Sequence, residues 1–383
     1  MKFIHSYIPN NFNVDKKYTH VIWKEVLYSQ LLSALMIKRN HGDIKLYTNE
    51  FVMEQILKIG IPYDEIDVDV LDGLTPKTFS VVKMKVFESM NEPFIHIDTD
   101  TIINKKITFP SELDIMFAHR DFPDLGRTTT PKGFNDYFIN AMNSYGIPFN
   151  DMKKFHSEEK IKNFKVGEIP NMNLIYVKDF ELFKKAAQLS LSHYEENKEK
   201  IDSYDKGYGA CYIEQLMIHL NLMELSDKYK KSIESGESFL ADKWFFQILQ
   251  ERKDGTYLEN DFEFPLLFQN NYHYNKEFTC DCCGMSNLKN NKYTIKDEND
   301  MLRYFNHDFG GILHLAHHKW SPIIQCLIIG QIAHRFGVEW LRKVNSYYKD
   351  IYPKYNINLP LLSPGEKLYE KITGFQFHDK GMI

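Results

Sequence analysis

Over its first hundred residues the chain alternates short apolar runs with longer segments of helical periodicity, and this alternation restricts the fold to the α/β class. KFIHSYI opens the chain as a short strand. Trp23 to Arg39 carries Val26, Leu27, Leu31, Leu35 and Met36 at helical spacing, and His41-Gly42-Asp43 stops it. A strand at 44–48 (IKLYT) is followed by a helix from Phe51 to Lys58, closed by Gly60 and Pro62. A third strand at 66–71 (IDVDVL), a helix from Phe79 to Met90 and a fourth strand at 94–98 (FIHID) complete the series. Parallel neighbours need a crossover, and a helix of this length supplies it. The pattern therefore predicts a mostly parallel central sheet with helices on both faces. Such sheets bind ligands beyond the carboxyl ends of their strands.

The pattern continues with a strand at 114–120 (DIMFAHR), a helix around 134–145 and a strand at 172–177 (MNLIYV). Helices are predicted at 179–198, 211–225, 237–252 and 297–305, with a Phe-rich strand at 262–268. ILHLAHHKW runs from 312 to 320, and Pro322 starts a helical stretch reaching about Tyr352. No Pro/Gly/Ser-rich linker divides the chain, so residues 1–320 read as one unit and 321–383 as a C-terminal helical extension.

Composition narrows the partners. Of the 383 residues 43% are hydrophobic, enough for a sizeable core. A net charge of -5 offers no general attraction to nucleic acid or to an anionic membrane surface. Five cysteines form an odd, sparse set that argues against a disulfide framework and for a reducing compartment, so a cytoplasmic location is expected. The run from Ile323 to Ile332 is too short for a membrane span, and no transmembrane segment is expected. Cys280, Cys282 and Cys283 with His273 invite a zinc reading, but the spacing is not the usual C-x2-C and a fourth ligand is unclear, so buried thiols in a turn are the default and a zinc knuckle stays the alternative.

The feature with the most chemistry is FIHIDTDTII, an apolar strand that ends in Asp98-Thr99-Asp100 before another apolar run. Carboxylates two residues apart project to one side of an extended backbone. They repel each other unless a cation sits between them, and hard oxygen donors suit Mn²⁺ or Mg²⁺. A cation there would bridge phosphate oxygens of a nucleoside diphosphate and neutralise its charge.

With this block on the page, the chain resembles the GT-A glycosyltransferases. The closest resemblance is to family 8, the retaining enzymes that include bacterial lipo-oligosaccharide galactosyltransferases and glycogenins. FSVVKMKVFESMNEPFIHIDTDTII is similar to that family's helix, strand and D-x-D block, in which a basic residue reaches the nucleotide-sugar; Lys83 takes its place. IPNMNLIYV resembles the strand whose Asn-containing turn faces the donor sugar, which implicates Asn171 and Asn173. CYIEQLMIH resembles the acidic-Gln pair beside the reacting carbon, implicating Glu214 and Gln215. ILHLAHHKW is similar to the closing segment in which a His completes the metal shell and a Lys binds diphosphate, matching His314 and Lys319. Here Ala316-His317-His318 replaces the family's Gly, and Glu214 stands where an Asp is usual.

The resemblance implies a GT-A fold and transfer of a hexose from a nucleotide-sugar, UDP-linked, to an acceptor hydroxyl. The acceptor stays open among glycan, protein, lipid and modified nucleic acid, and retention stays open against inversion. His317 is the rival metal ligand and, beside Lys319, a phosphate contact. Asp121 is a candidate for sugar hydroxyls, its alternative being a turn residue before Pro123. Two other functions compete. A nucleotidyltransferase would carry a Gly-rich basic loop after the first strand, and SYIPNNFNVDKKY has no Gly. A non-catalytic carbohydrate-binding or scaffold protein would show no metal-dependent nucleotide binding.

Overall fold

The computed structural model describes residues 1–9, 22–74, 80–118, 170–203, 211–239, 245–249, 266–270, 278–279, 286–287, 292–295, 297–307, 311–315, 321–357 and 360–377. The expected alternation opens the chain as β1 (Lys2–Ser6), α1 (Lys24–Asn40), β2 (Ile44–Tyr47), α2 (Glu50–Ile59), β3 (Glu65–Asp67), α3 (Ser80–Ser89) and β4 (Phe94–Ile97). Local chemistry sets the ends of α2. The Asn49 side chain accepts from the Val52 N–H at its start, and Gly60 takes the left-handed conformation at φ 79° at its end.

After β5 (Thr101–Ile103), two further strands, β6 (Ile115–Phe117) and β7 (Leu174–Val177), join the first four in a six-stranded sheet of order β3-β2-β1-β4-β7-β6. β1 lies parallel to β2 and β4, and β2 parallel to β3, as crossover helices require. β7 runs antiparallel to both β4 and β6, so the central sheet is mixed: mostly parallel, as expected, with one reversed strand. A strand's direction follows from the path of the chain that leads into it, which the composition of MNLIYV does not carry.

The helices that follow are α4 (Phe180–Ser203), a π-helical segment (Cys211–Met217) that opens directly into α5 (Ile218–Leu225), and α6 (Asp227–Ser235). The helix predicted at 237–252 is a correction: the chain there forms β8 (Phe245–Leu249). β8 belongs to a second, five-stranded sheet with β9 (Leu266–Asn270), β12 (Lys292–Ile295), β13 (Ile312–His314) and β5, in the order β12-β9-β8-β13-β5. β8 (FFQIL) pairs with β13 and β9 and shows no strict apolar/polar alternation, and periodicity alone does not separate so short a mostly apolar run from a helix segment. The two-residue strands β10 (Phe278–Thr279) and β11 (Ser286–Asn287) pair with each other. Of the strand expected at 262–268, residues 266–268 lie in β9; the rest of it, like the helix expected around 134–145, lies outside the described residues.

Helices α7 (Glu298–Tyr304), α8 (Pro322–Phe336), α9 (Glu339–Lys354) and α10 (Pro364–Thr373) complete the described chain, and the predicted stretch from Pro322 breaks at Gly337. No helix among the described residues is long and apolar enough to cross a membrane. The core forms two apolar clusters, and the alternation of β1 divides between them. Phe3 and Tyr7 belong to the cluster that includes α1 and α8 residues, whereas Ile4 and Ile8 belong to the one that includes α3 and α4 residues. Lys24 of α1 reaches Glu366 of α10 at 2.9 Å, and Tyr28 and Asn345 bond the same buried carboxylate. Gly330 lets α8 close on α7: a Cβ at that position would lie 2.1 Å from the Phe305 ring. Gly330→Ala is therefore expected to cost about 1–3 kcal/mol through overpacking. A lowered urea midpoint with unchanged slope checks it.

Candidate active site

The chain leaves the central sheet at Ile97, turns through Asp98-Thr99-Asp100 and enters the second sheet at Thr101. The Thr101 N–H closes the turn onto the Asp98 carbonyl at 2.9 Å. Backbone bonds hold the turn from both sides. The Asp98 N–H donates to the Asn173 carbonyl at 2.8 Å, and the Leu315 N–H donates to the Asp100 carbonyl at 3.0 Å. β13 runs antiparallel to β5 with His314 opposite Thr101. Three blocks far apart in sequence thus meet at one turn: D-x-D, the Asn171–Asn173 turn and the backbone of His314.

Lys83 arrives from α3, a helix buried on nearly every side by Val81, Val82, Met84, Val86 and Phe87. Its Nζ lies 2.7 Å from Asp98 Oδ1 and 3.2 Å from Glu214 Oε1. Burial opposes the ammonium charge, but the Asp98 and Glu214 carboxylates outweigh it and hold the pKa above the ordinary lysine range. Glu214 and Gln215 come from the π-helical segment and are each 5% exposed. Such π turns recur at functional sites. Lys83, Glu214 and Gln215 are therefore all buried rather than on a solvated helix face.

Several amide atoms at the site are buried without a hydrogen-bond partner among the described residues. The Asn171 Oδ1 accepts from the Asn173 N–H at 3.0 Å, whereas neither amide atom of the 2%-exposed Asn173 side chain is paired. Gln215 Oε1 is likewise unpaired. Leaving such a group unmet costs about 1–3 kcal/mol, and other buried amides, among them Gln331 Oε1 and Asn345 Oδ1, share this state elsewhere in the fold.

The donor set suits a hard divalent cation. Asp98 and Asp100 share one turn, with Asp100 9% exposed and the Asp98 side chain 22% exposed. Among the described side chains no third His, Cys, Asp or Glu joins them in a ready-made metal cluster. The His314 side chain, Asp121, His317 and Lys319 lie outside the described residues, as do His273, Cys280, Cys282 and Cys283.

Sequence reasoning missed a polar set behind the turn: the buried His5, Gln30 and Ser33, with the partly buried Tyr63. The signal was present as polar residues at core positions of an apolar strand and an apolar helix. His5 and His219 are fully enclosed, and burial pushes each ring from an ordinary value of 6.5 down to about 3. Burial, with Lys83 nearby, also lowers His96 well below that value. These rings are neutral when folded and bind a proton only on unfolding. Their contribution is complete above about pH 6.5 and falls as pH drops toward 3, by about 1.4 kcal/mol per pH unit for each ring. Urea midpoints at pH 8 and pH 5.5 are expected to show a clear loss at the lower pH.

Comparison with known proteins gives a family without an assigned activity. A profile described as a family of unknown function, DUF6734, matches residues 1–247. No curated protein matches. Among solved structures, the apo crystal structure of mouse xyloside xylosyltransferase 1 aligns at 12% identity and TM-score 0.28, over 64% of this chain and 87% of that chain. The profile match spans well over half of the sequence, and the chain belongs to DUF6734.

Proposed function

We propose that the chain is a metal-dependent glycosyltransferase of the GT-A type, which moves a hexose from a UDP-linked sugar to an acceptor hydroxyl. In this reading residues 1–320 are the catalytic unit and 321–383 its helical extension. One observation carries the proposal: Lys83 ties Asp98 of the D-x-D turn to Glu214, beside the unpaired amides of Asn173 and Gln215. The buried ion cluster and these unmet amide atoms together support a polar ligand at this turn.

A divalent cation, Mn²⁺ or Mg²⁺, bound by Asp98 and Asp100 with His314, would neutralise the charge that grows on the diphosphate as the sugar leaves. Lys83 adds a fixed positive charge from the buried side of the turn. Lys319 and His317 are the candidates for the diphosphate oxygens from the closing segment. Asn171, Asn173 and Gln215 meet sugar hydroxyls, with Asp121 as a further acceptor. Glu214 stabilises positive charge at the anomeric carbon. In the retaining course the bond from anomeric carbon to phosphate oxygen breaks and the acceptor oxygen bonds from the same face. The departing phosphate oxygen takes the acceptor proton, which removes the need for a separate base.

A thermal-shift panel of UDP, GDP and their sugars, with and without Mn²⁺, tests this reading. Stabilisation that requires both the metal and a diphosphate is the expected result. An equal response to any triphosphate points instead to a nucleotidyltransferase, and silence across the panel to a non-catalytic scaffold.

A further inference from the structure

Behind the D-x-D turn, buried polar side chains form a single line. Gln30 Nε2 lies 3.0 Å from the Tyr63 hydroxyl, which lies 2.8 Å from His5 Nδ1. His5 Nε2 is 3.2 Å from Ser33 Oγ, and Ser33 Oγ is 2.6 Å from the Thr101 carbonyl. The direction of every bond follows from the last one. A carbonyl only accepts, so the one hydroxyl proton of Ser33 goes to Thr101. Ser33 Oγ then accepts, so His5 carries its proton on Nε2 and its neutral ring accepts at Nδ1. Tyr63 donates there, and its oxygen accepts from the Gln30 amide. The line crosses from the partly exposed Tyr63, through β1 and α1, to the residue that closes the turn. Hydrogen bonds aligned in one direction polarise and strengthen one another.

We propose that Gln30, Tyr63, His5 and Ser33 are positioning residues, a one-way hydrogen-bond chain that holds the Asp98–Thr101 turn in the geometry its ligand needs. The ligand's identity rests on the glycosyltransferase reading above; the hold on the turn does not. Ser29 provides an internal control, because its hydroxyl is also buried in α1 but bonds only to the Val26 carbonyl of its own helix.

The experiment uses the full chain and two readouts. Nitrogen-15 NMR of the wild-type histidines is expected to show His5 as the Nε2–H tautomer, and a proton on Nδ1 would overturn the chain's direction. Hydrogen exchange then follows the amides of Asp98, Thr101 and Leu315 in Ser33→Ala, Tyr63→Phe, Ser33→Thr and Ser29→Ala. Ser33→Ala is expected to speed exchange at these amides by about tenfold, the effect of one lost buried hydrogen bond. Tyr63→Phe is expected to act at the same amides more weakly, Ser33→Thr to restore protection, and Ser29→Ala to leave it unchanged. Equal loosening by Ser29→Ala, or unchanged protection in Ser33→Ala, would overturn the proposal. In parallel, calorimetry with Mn²⁺ and UDP is expected to show about tenfold weaker binding for Ser33→Ala but not Ser29→Ala. A wild type that shows no Mn²⁺-dependent UDP binding, while the turn amides respond as stated, sinks the transferase reading and leaves the chain's hold on the turn supported.

Discussion

Lys83→Met is expected to destabilise the metal-free protein by about 3–5 kcal/mol, the usual consequence of removing one partner from a buried ion pair. The size follows from the enclosure of the group. The Lys83 side chain is 8% exposed and that of Glu214 6%, so removing the ammonium leaves the Glu214 carboxylate buried without this counter-charge. Methionine keeps the stem and the packing within α3, so the loss reports on charge rather than on a cavity. A divalent cation would restore positive charge beside Asp98. Millimolar Mn²⁺ is therefore expected to raise the variant's melting temperature more than that of the wild type. Sugar transfer is expected to remain impaired even with saturating Mn²⁺, since the fixed charge beneath the turn is gone. A variant as stable as the wild type without metal would show that the ion cluster does not hold the site together.

Asp100→Asn is expected to act in the opposite direction on stability. The amide matches the carboxylate in shape and leaves the Leu315 N–H bond to the Asp100 carbonyl intact. It also removes a negative charge beside Asp98, so metal-free stability is expected to hold or rise. Mn²⁺-dependent turnover is expected to fall by about 10²–10³-fold, the range seen when one preorganised electrostatic contact is lost. Lys83→Met and Asp100→Asn thus separate two roles within one cluster. Loss of turnover without loss of stability assigns Asp100 to the ligand, whereas loss of both assigns Lys83 to the ligand and the fold. The pair is measured by kcat/KM over a Mn²⁺ series together with urea midpoints in its absence.

The elements from β1 to β4 were legible because short apolar runs alternate with longer helical segments bounded by stop signals, such as Asn49 and Gly60 around α2, although β3 covers Glu65–Asp67 rather than 66–71. The mixed character of the central sheet was not legible, because the direction of β7 depends on a path and not on a composition. β8 was read as a helix because FFQIL is short and does not alternate, so its pattern fits either state. At the site, Asp98 and Asp100 stood out by spacing, while the partners of Lys83 did not. Glu214 follows Lys83 by 131 residues, and only the packing of the π-helical segment against α3 joins them. His5 and Ser33 escaped notice for a related reason: each looks like an isolated polar residue in an apolar segment until the fold lines them up with Tyr63 and Thr101.

A crystal grown with Mn²⁺ and UDP, with data collected at the manganese absorption edge, tests the central claim most directly. The account predicts one anomalous peak within coordination distance of the Asp98 and Asp100 carboxylates and of both UDP phosphates, with Lys83 still beneath the turn. A nucleotide bound elsewhere, or a peak remote from these two carboxylates, would contradict it.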